Sequence, residues 1–330
     1  MKAILIDKPG DENCMKLSET GAPLLEAGMI RIRNHASGVN RADLLQRQGL
    51  YPPPAGASPI LGLECAGEVA EIGADVQRFS PGDRVMALLP GGGYAEDVVV
   101  DAGSAIRLPD GLSFEEGAGL TETLLTVFLN VFQLGALPDG GTVLVHGGGS
   151  GIGTTTIDLV KRAGGRVIAT AGSADKCQRC LDLGADVVAN YKQEDWVETV
   201  RAATDGRGVD VVLDSIGGSY LEQNLQSLAM DGSLVLIGLM GGAKAEISLG
   251  QVLMRRLKLI GSTLRTRSVS QKASIIEAFL ERFGTDLEAG KIRPVLHQVF
   301  PLAEVPDAHR LIQASTHFGK VVLRVRSENV

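Results

Sequence analysis

The strongest constraint on the fold is a predicted strand, a glycine-rich turn and a helix that follow one another between residues 142 and 165. Thr142–Val145 is predicted to be a buried strand. A helix is predicted from Gly151 to Ala163, where Gly164 and Gly165 end it. The next strand finishes at Thr170, so the unit spans about 30 residues, the length of a mononucleotide-binding βαβ unit. This order of elements predicts a nucleotide site at the turn.

The turn itself has the sequence His146-Gly-Gly-Gly-Ser-Gly-Ile-Gly153. Missing side chains let main-chain amides approach a diphosphate, and the amino terminus of the helix favours its negative charge. The spacing departs from the strict G-x-G-x-x-G pattern, because Ser150 occupies a glycine position. A turn that merely packs tightly is the alternative interpretation. The residues predicted to bind the diphosphate are Gly147, Gly148, Ser150, Gly151, Ile152 and Gly153.

The end of the second strand indicates which nucleotide binds. NAD-selective folds place an Asp or Glu there to hold the ribose 2′-hydroxyl. Here the strand ends Ala169-Thr-Ala-Gly-Ser173, and Asp175 lies beyond it. Ser173 and Lys176 are able to bind and neutralise a 2′-phosphate; a solvated helix position is the alternative for Lys176. We therefore predict NADPH as the cofactor, with its adenosine end held by Gly172, Ser173, Lys176 and Tyr191.

The rest of the chain predicts two lobes of different character, as its length of 330 residues also favours. Short strands separated by turns run to about residue 120 and predict a mostly antiparallel barrel. After a helix over 122–134, apolar strands alternate with helices, which predicts a parallel sheet covered on both faces. A tail then supplies strands with no βαβ partner and is expected to rejoin the barrel. The predicted class is α/β, with a Rossmann doubly wound sheet over 123–289 and a barrel domain over 1–122 and 290–330.

Composition and charge exclude several classes of function. The net charge of -7 argues against a nucleic-acid partner, which needs a concentrated basic surface. No run of apolar residues approaches the roughly 18 of a membrane span, and Asp7 and Lys8 follow the amino terminus too soon for a signal peptide. We therefore expect no membrane association and a cytoplasmic location.

The sequence predicts no metal site. Cys177 and Cys180 form a C-x-x-C early in a probable helix, without a second ligand pair at metal spacing. The five histidines are scattered singly along the chain. Any chemistry is therefore expected to depend on neutral hydrogen-bond donors.

Several motifs together resemble those of one enzyme family. They are Gly38-Val-Asn-Arg-Ala-Asp43, Gly62-Leu-Glu-Cys-Ala-Gly67, Pro81-Gly-Asp-Arg-Val85, the turn 146–153, Ala171-Gly-Ser173 with Lys176, Asp214-Ser-Ile-Gly-Gly218 and Gly238-Leu-Met-Gly-Gly242. Over nearly its whole length the chain resembles the medium-chain dehydrogenase/reductase superfamily, in its zinc-free, zeta-crystallin-like quinone oxidoreductase branch. The resemblance implies a GroES-like barrel plus a Rossmann lobe, with the cofactor in the cleft. It also implies a homodimer joined through the edge strand at 259–264.

Two departures from the zinc enzymes of the superfamily agree with the absence of a predicted metal. Asn40 stands where those enzymes have a ligating cysteine, and Leu63 stands where they have a ligating histidine. Their four-cysteine structural lobe is also missing.

The resemblance implies roles for further residues. Asn40 and Tyr51 match positions that donate hydrogen bonds to the acceptor, and Thr126 matches a position beside the nicotinamide. A turn residue, a packed barrel aromatic and helix packing are the respective alternatives. Gly238, Leu239, Met240 and Gly241 are expected to approach the nicotinamide half of the cofactor, and Arg265 and Lys320 are weaker candidates for binding it.

The reaction predicted from these features is zinc-independent hydride transfer from NADPH to a small-molecule quinone, because quinones are already electrophilic and need only modest polar assistance. An NADPH-dependent enal or enone reductase is the second interpretation. A non-catalytic NADPH-binding structural or regulatory protein is the third, since this type of fold permits it.

Overall fold

A computed structural model describes residues 1–326 of the chain. Its strands, in chain order, are β1 (Lys2–Ile6), β2 (Met15–Glu19), β3 (Met29–Val39), β4 (Glu64–Ile72), β5 (Arg84–Leu88), β6 (Asp97–Asp101), β7 (Ala105–Arg107), β8 (Thr142–His146), β9 (Arg166–Ala171), β10 (Val187–Asn190), β11 (Val209–Asp214), β12 (Leu228–Leu236), β13 (Lys258–Gly261), β14 (Leu296–Pro301) and β15 (Lys320–Arg324).

The α-helices are α1 (Arg41–Arg47), α2 (Phe114–Ala118), α3 (Thr121–Val127), α4 (Gly151–Arg162), α5 (Ala174–Asp182), α6 (Trp196–Ala203), α7 (Leu221–Ser227), α8 (Leu249–Met254), α9 (Val269–Glu288) and α10 (Val305–Ala314). A π-helical segment, Phe128–Leu134, follows α3, and short 3₁₀ turns lie at Glu12–Cys14, Ala102–Ser104, Gly218–Tyr220 and Leu302–Glu304. None of the helices within residues 1–326 combines the length and the apolar content needed to cross a membrane.

Residues 1–326 form two compact units, which we call the first unit (residues 1–125 and 264–326) and the second unit (residues 126–263). The second unit is built on a six-stranded sheet in the order β10-β9-β8-β11-β12-β13, with every neighbouring pair parallel. This is the doubly wound order, and its direction reverses between β8 and β11. The predicted Rossmann sheet is confirmed, and the carboxyl ends of β8 and β11 flank the place where such sheets bind ligands.

The first unit is built on a seven-stranded sheet with the order β14-β15-β3-β4-β5-β7, in which β6 also pairs with β3. All of these pairs are antiparallel except β14 with β15. Its core contains fully buried apolar residues from facing strands, among them Ile30, Ile32 and Val85. Strand β15 lies between β14 and β3, so the tail does rejoin the amino-terminal strands.

The structure differs from the sequence prediction at two helices. Helix α9 belongs to the first unit, although the prediction assigned residues up to 289 to the nucleotide-binding lobe. It packs on the turn at Ala102–Ser104, where a side chain at Gly103 would come within 3.1 Å of the Ala273 methyl group. The last four residues of the predicted barrel domain, 327–330, lie outside the described residues.

The second difference is that the helix predicted over 122–134 changes from α to π geometry after Val127. The wider turn is seen directly, because the Gly135 amide donates to the Asn130 carbonyl, five residues back, at 2.9 Å. The buried Asn130 side chain donates in turn to the Thr126 carbonyl at 2.7 Å. A side-chain donor therefore serves a carbonyl next to the transition, and π segments of this kind are frequent at functional sites.

Candidate functional site

The glycine-rich turn in the second unit has the geometry of an anion site. Ser150 is the N-cap of α4, and its hydroxyl accepts from the Gly153 amide at 3.0 Å. The amides at the start of α4 precede the first helical hydrogen bond and carry the positive end of the helix dipole. The structure thus brings together all six residues predicted to bind a diphosphate: Gly147, Gly148, Ser150, Gly151, Ile152 and Gly153.

Close packing explains why the turn needs glycines. Gly147 has φ +70°, a left-handed conformation that disfavours other residues. A Cβ at Gly148 would lie 2.9 Å from the Ala169 methyl group and from the Cys180 sulfur. A Cβ at Gly153 would lie 2.5 Å from the Gly148 Cα. The main chain of the turn therefore lies directly against β9 and α5, and its glycines place no side chain between the backbone and these elements.

The end of β9 carries the residues predicted to select the nucleotide. Ser173 is the N-cap of α5, and its hydroxyl accepts from the Lys176 amide at 3.3 Å. The Tyr191 hydroxyl lies over Gly172, at 2.5 Å from where a Cβ would be. The Tyr191 amide donates to the Ala171 carbonyl at 3.1 Å. These contacts bring together, at the carboxyl ends of β9 and β10, the residues Gly172, Ser173, Lys176 and Tyr191.

Three cations gather at these strand ends. The pKa of Lys176 is below its ordinary value because burial penalises the charged ammonium group and because Arg179 and Lys192 repel it. Asp175 offsets only part of this repulsion. A group with two negative charges would relieve the mutual repulsion, so the cluster fits a phosphate better than a neutral hydroxyl. The sequence prediction missed Arg179 and Lys192, although Lys192 directly follows Tyr191.

On the other side of the reversal point, a buried carboxylate shapes the loop after β11. Asp214 accepts hydrogen bonds from the Ile216 amide at 2.6 Å, the Gly217 amide at 3.0 Å and the Asn224 side chain at 2.9 Å. The segment 238–241 is then fixed to this loop, because the Gly241 amide donates to the Ile216 carbonyl at 2.6 Å. Gly238, Leu239, Met240 and Gly241 therefore form one held segment, in which Leu239 and Met240 are exposed.

A buried histidine connects these strand ends. His146 contacts the Thr170 hydroxyl through Nδ1 at 3.0 Å and the Asn224 side-chain oxygen through Nε2 at 2.7 Å. Burial lowers its pKa to about 4, so the ring is neutral at physiological pH. Because Asn224 also donates to Asp214, side chains link the ends of β8, β9 and β11 in one network. Thr126, in the same unit, is buried beside the π segment, and its carbonyl accepts from Asn130.

In the first unit, a buried ion pair orients Asn40. The Lys320 ammonium group donates to Glu64 Oε1 at 2.7 Å, to Asn40 Oδ1 at 2.7 Å and to the Val39 carbonyl at 3.3 Å. Asn40 Nδ2 donates to the same Glu64 oxygen at 2.9 Å. Lys320 was predicted to bind the cofactor, but these three contacts use all three hydrogens of its ammonium group. In this conformation Lys320 serves Glu64 and Asn40 instead.

Two further carboxyl groups surround this pair, and the sequence prediction missed both. Asp43 accepts from the amides of Asn40 at 2.8 Å and Gly62 at 3.0 Å, and burial raises its pKa to about 6. Glu122 is mostly removed from water, with part of the residue still accessible. This burial, together with the negative charge of Glu64, raises the pKa of Glu122 to about 8. The Glu122 amide donates to Glu64 Oε2 at 2.8 Å. Glu64 therefore has donors on both oxygens, whereas Glu122 carries the proton at neutral pH.

Tyr51 lies in the same unit, beside Arg265. The Arg265 guanidinium group is 5.2 Å from the centre of the Tyr51 ring and donates to the Tyr51 carbonyl at 3.4 Å. Burial raises the pKa of Tyr51, and the charge of Arg265 opposes part of that rise. The phenol thus stays a neutral donor at physiological pH. Arg265, predicted to bind the cofactor, directs hydrogen bonds at its own unit.

Two family models match the chain. The alcohol dehydrogenase GroES-like domain matches residues 26–110, and the zinc-binding dehydrogenase domain matches residues 151–280. The first match lies in the barrel unit and confirms the predicted GroES-like fold.

Curated relatives include a quinone oxidoreductase of Pseudomonas aeruginosa, which is 34% identical over 295 residues, 89% of this chain and 90% of that protein. The mycocerosic acid synthase-like polyketide synthase of Mycobacterium tuberculosis is 31% identical over 324 residues, which make up 97% of this chain. The chain spans only 15% of the length of that synthase.

Solved structures with the same fold include an Escherichia coli quinone oxidoreductase complexed with NADPH, with TM-score 0.87 and 28% identity over 98% of this chain and all of that one. An NAD-dependent alcohol dehydrogenase has TM-score 0.87 and 32% identity over 99% of this chain and all of that one. The CurK enoyl reductase has TM-score 0.87 and 28% identity over 98% of this chain and 99% of that one.

The residues of the first unit do not fit a catalytic zinc ion. Leu63 is buried and has no donor atom, and the Asn40 carbonyl oxygen already accepts from the Lys320 ammonium group. A dication beside Asn40 would meet the positive charge of Lys320, whereas zinc sites offer thiolate, imidazole or carboxylate ligands. Across residues 1–326, no three His, Cys, Asp or Glu side chains lie where they could share a metal ion.

Replacing Glu122 with glutamine is expected to change how stability depends on pH. Because the pKa of Glu122 is about 8 in the folded protein and 4.5 ordinarily, folding retains a proton that the unfolded chain releases. Wild-type stability should therefore fall between about pH 4.5 and 8, relative to Glu122→Gln. We expect the variant to gain ~4 kcal/mol over wild type on going from pH 5 to pH 9, measured by chemical denaturation. The exposed Glu277→Gln is the control, and parallel pH profiles for Glu122→Gln and wild type would refute the assignment.

Proposed function

Because the chain belongs to the quinone oxidoreductase branch of the medium-chain dehydrogenase/reductase superfamily, we propose that it reduces quinones with NADPH and without a metal ion. The observation that carries the proposal is the second unit's nucleotide edge, which combines the glycine-rich turn at the amino terminus of α4 with a cluster of three cations, Lys176, Arg179 and Lys192. The first feature suits a diphosphate, and the second suits a 2′-phosphate. When bound, NADPH supplies a hydride from its nicotinamide ring.

We propose that different residues bind different parts of NADPH. The turn 147–153 is assigned to the diphosphate, and Ser173 and Lys176, with Arg179 and Lys192, to the 2′-phosphate. Tyr191 is assigned to the adenosine end, where its ring lies over Gly172. The segment 238–241 and Thr126 are assigned to the nicotinamide half.

Asn40 and Tyr51 are proposed as the donors to the acceptor oxygen, on which negative charge develops during reduction. Asn40 Nδ2 has two hydrogens and gives one to Glu64, so a second remains for an acceptor. Glu64 and Lys320 fix the orientation of the amide from its two ends, and a donor held in advance costs no reorganisation during the reaction. Tyr51 adds a neutral hydroxyl.

A second candidate is an enal or enone reductase, favoured by the similarity to the CurK enoyl reductase. The same donors would stabilise the enolate oxygen formed when hydride adds to a polarised carbon–carbon double bond. Turnover of a naphthoquinone compared with that of an α,β-unsaturated ketone separates the two candidates. NADPH binding without oxidation in the presence of either acceptor would instead indicate a non-catalytic protein.

Lys176→Ala is expected to remove most of the preference for NADPH over NADH. The loss of a partly buried cation next to the 2′-phosphate should weaken NADPH binding about tenfold and leave NADH binding unchanged. Fluorescence titration with each nucleotide measures both affinities. Lys161→Ala is the matched control, since Lys161 pairs with Asp186 at the far end of α4. Equal use of NADH and NADPH by the unmodified protein would contradict the assignment of Lys176.

Asn40→Ala is expected to slow acceptor reduction while leaving NADPH affinity nearly intact. Removing one donor to a developing oxyanion costs about 10²-fold in turnover. Stopped-flow oxidation of NADPH with a naphthoquinone, beside the exposed Asn13→Ala as control, measures the effect. Unchanged turnover would remove Asn40 from the mechanism.

We also propose a homodimer that pairs the β13 edges of two second units. The edge strand and neighbouring α8 expose apolar side chains, with Leu249 at 72%, Leu253 at 75% and Met254 at 74% exposure. Exposed edges and apolar patches of this kind are usually covered by a partner. Light scattering after size exclusion should give twice the chain mass, and Leu253→Glu should shift it toward the monomer. A monomeric wild type at micromolar concentration would refute the dimer.

Cytoplasmic location stays a prediction.

A further inference from the structure

Arg265 is an unusual buried cation. Only 5% of it is exposed, yet within residues 1–326 no carboxylate lies within ion-pair distance of its guanidinium group. Its direct contacts are neutral acceptors and an aromatic ring. Burial lowers its pKa, and Asp43 and Glu122, beyond ion-pair distance, offset only part of that effect.

The contacts of Arg265 converge on the segment that carries Tyr51. Nε donates to the Pro90 carbonyl at 2.8 Å, and Nη2 donates to Gln46 Oε1, at the end of α1, at 2.7 Å. Nη1 donates to the Tyr51 carbonyl at 3.4 Å. The planar guanidinium group thus joins three separate segments of the first unit, which a flexible lysine would not do.

Besides holding these segments by hydrogen bonds, Arg265 acts electrostatically on the ring of Tyr51. A guanidinium group 5.2 Å from the ring centre lies within cation–π range of Tyr51. Its positive charge favours the phenolate over the phenol, which makes the hydroxyl a stronger hydrogen-bond donor. Glu122 opposes this effect only when it is ionised, above its pKa of about 8.

The arginine is itself held from α9. Lys272, 6% exposed, donates from Nζ to the Arg265 carbonyl at 2.9 Å. The position of Arg265 is therefore fixed before any ligand binds.

We propose that Arg265 is a positioning residue for Tyr51: it holds the Tyr51 segment against Pro90 and α1 and polarises the phenol toward the acceptor. This inference rests on the proposed function in that Tyr51 is taken as a donor to the acceptor. It replaces the sequence-based assignment of Arg265 to cofactor binding, and it makes the rate of acceptor reduction depend on a residue that touches neither reactant.

A double-mutant cycle tests the inference. We expect Arg265→Gln to lower kcat/KM for a naphthoquinone about tenfold and to change the NADPH dissociation constant less than about twofold. Tyr51→Phe should give a similar loss, and adding Arg265→Gln to Tyr51→Phe should cost less than about twofold more. Additive losses, or an NADPH affinity that falls with turnover, would overturn the proposal.

Two further measurements test the proposal even if Arg265→Gln fails to fold. Gln46→Ala leaves Arg265 in place but removes the side-chain oxygen that accepts from it at 2.7 Å. This variant should also reduce turnover, and an unchanged rate would count against the proposal. Ultraviolet titration of the phenol, taken as the difference between proteins with and without Tyr51, should show a higher Tyr51 pKa in Arg265→Gln. The titration needs no acceptor, so a shift without quinone turnover would reject the proposed function and retain the Arg265–Tyr51 coupling, whereas no shift would reject the coupling.

Discussion

The buried contact between Lys320 and Glu64 organises the first unit. Both side chains are almost completely removed from water, so each charge depends on the other and on nearby dipoles. Glu64 meets this demand with three donors, and Lys320 meets it with three acceptors. Asn40 takes part in both sets. Its side-chain amide is consequently oriented by Lys320, which donates to the oxygen, and by Glu64, which accepts from the nitrogen.

The two units solve the problem of binding in different ways. In the second unit, the site proposed for the diphosphate is formed by main-chain amides, and side chains such as His146 and Asp214 hold strand ends and loops in place. In the first unit, the donors proposed for the acceptor are side chains, and charged groups hold them. Within residues 1–326 no group of side chains could bind a metal ion, and the ammonium group of Lys320 balances the charge of Glu64.

Local sequence patterns were sufficient to predict the parallel sheet and the glycine-rich turn, because each depends on neighbours within about 30 residues. Ser173 and Lys176 were singled out in the same way, whereas Arg179 and Lys192 were missed. The roles of Lys320 and Arg265 were not predictable in this way. Lys320 meets Glu64 across 256 positions of sequence, and Arg265 meets Gln46 across 219. Nor does the spacing of apolar residues distinguish an α-helix from the π segment after Val127, in which the Gly135 amide donates to the Asn130 carbonyl.

The insertion of β15 between β14 and β3 has a consequence for how the protein is made. Residues 126–263 are contiguous and have a complete sheet before the ribosome reaches the tail. Until Lys320 has been synthesised, only the β3 residues Ala36–Val39 lack a strand on the edge that β15 covers, since β6 pairs with Met29–Arg33, and Glu64 lacks its counter-charge. Pairing of β15 with β3 and neutralisation of Glu64 therefore both depend on the same late segment of the nascent chain.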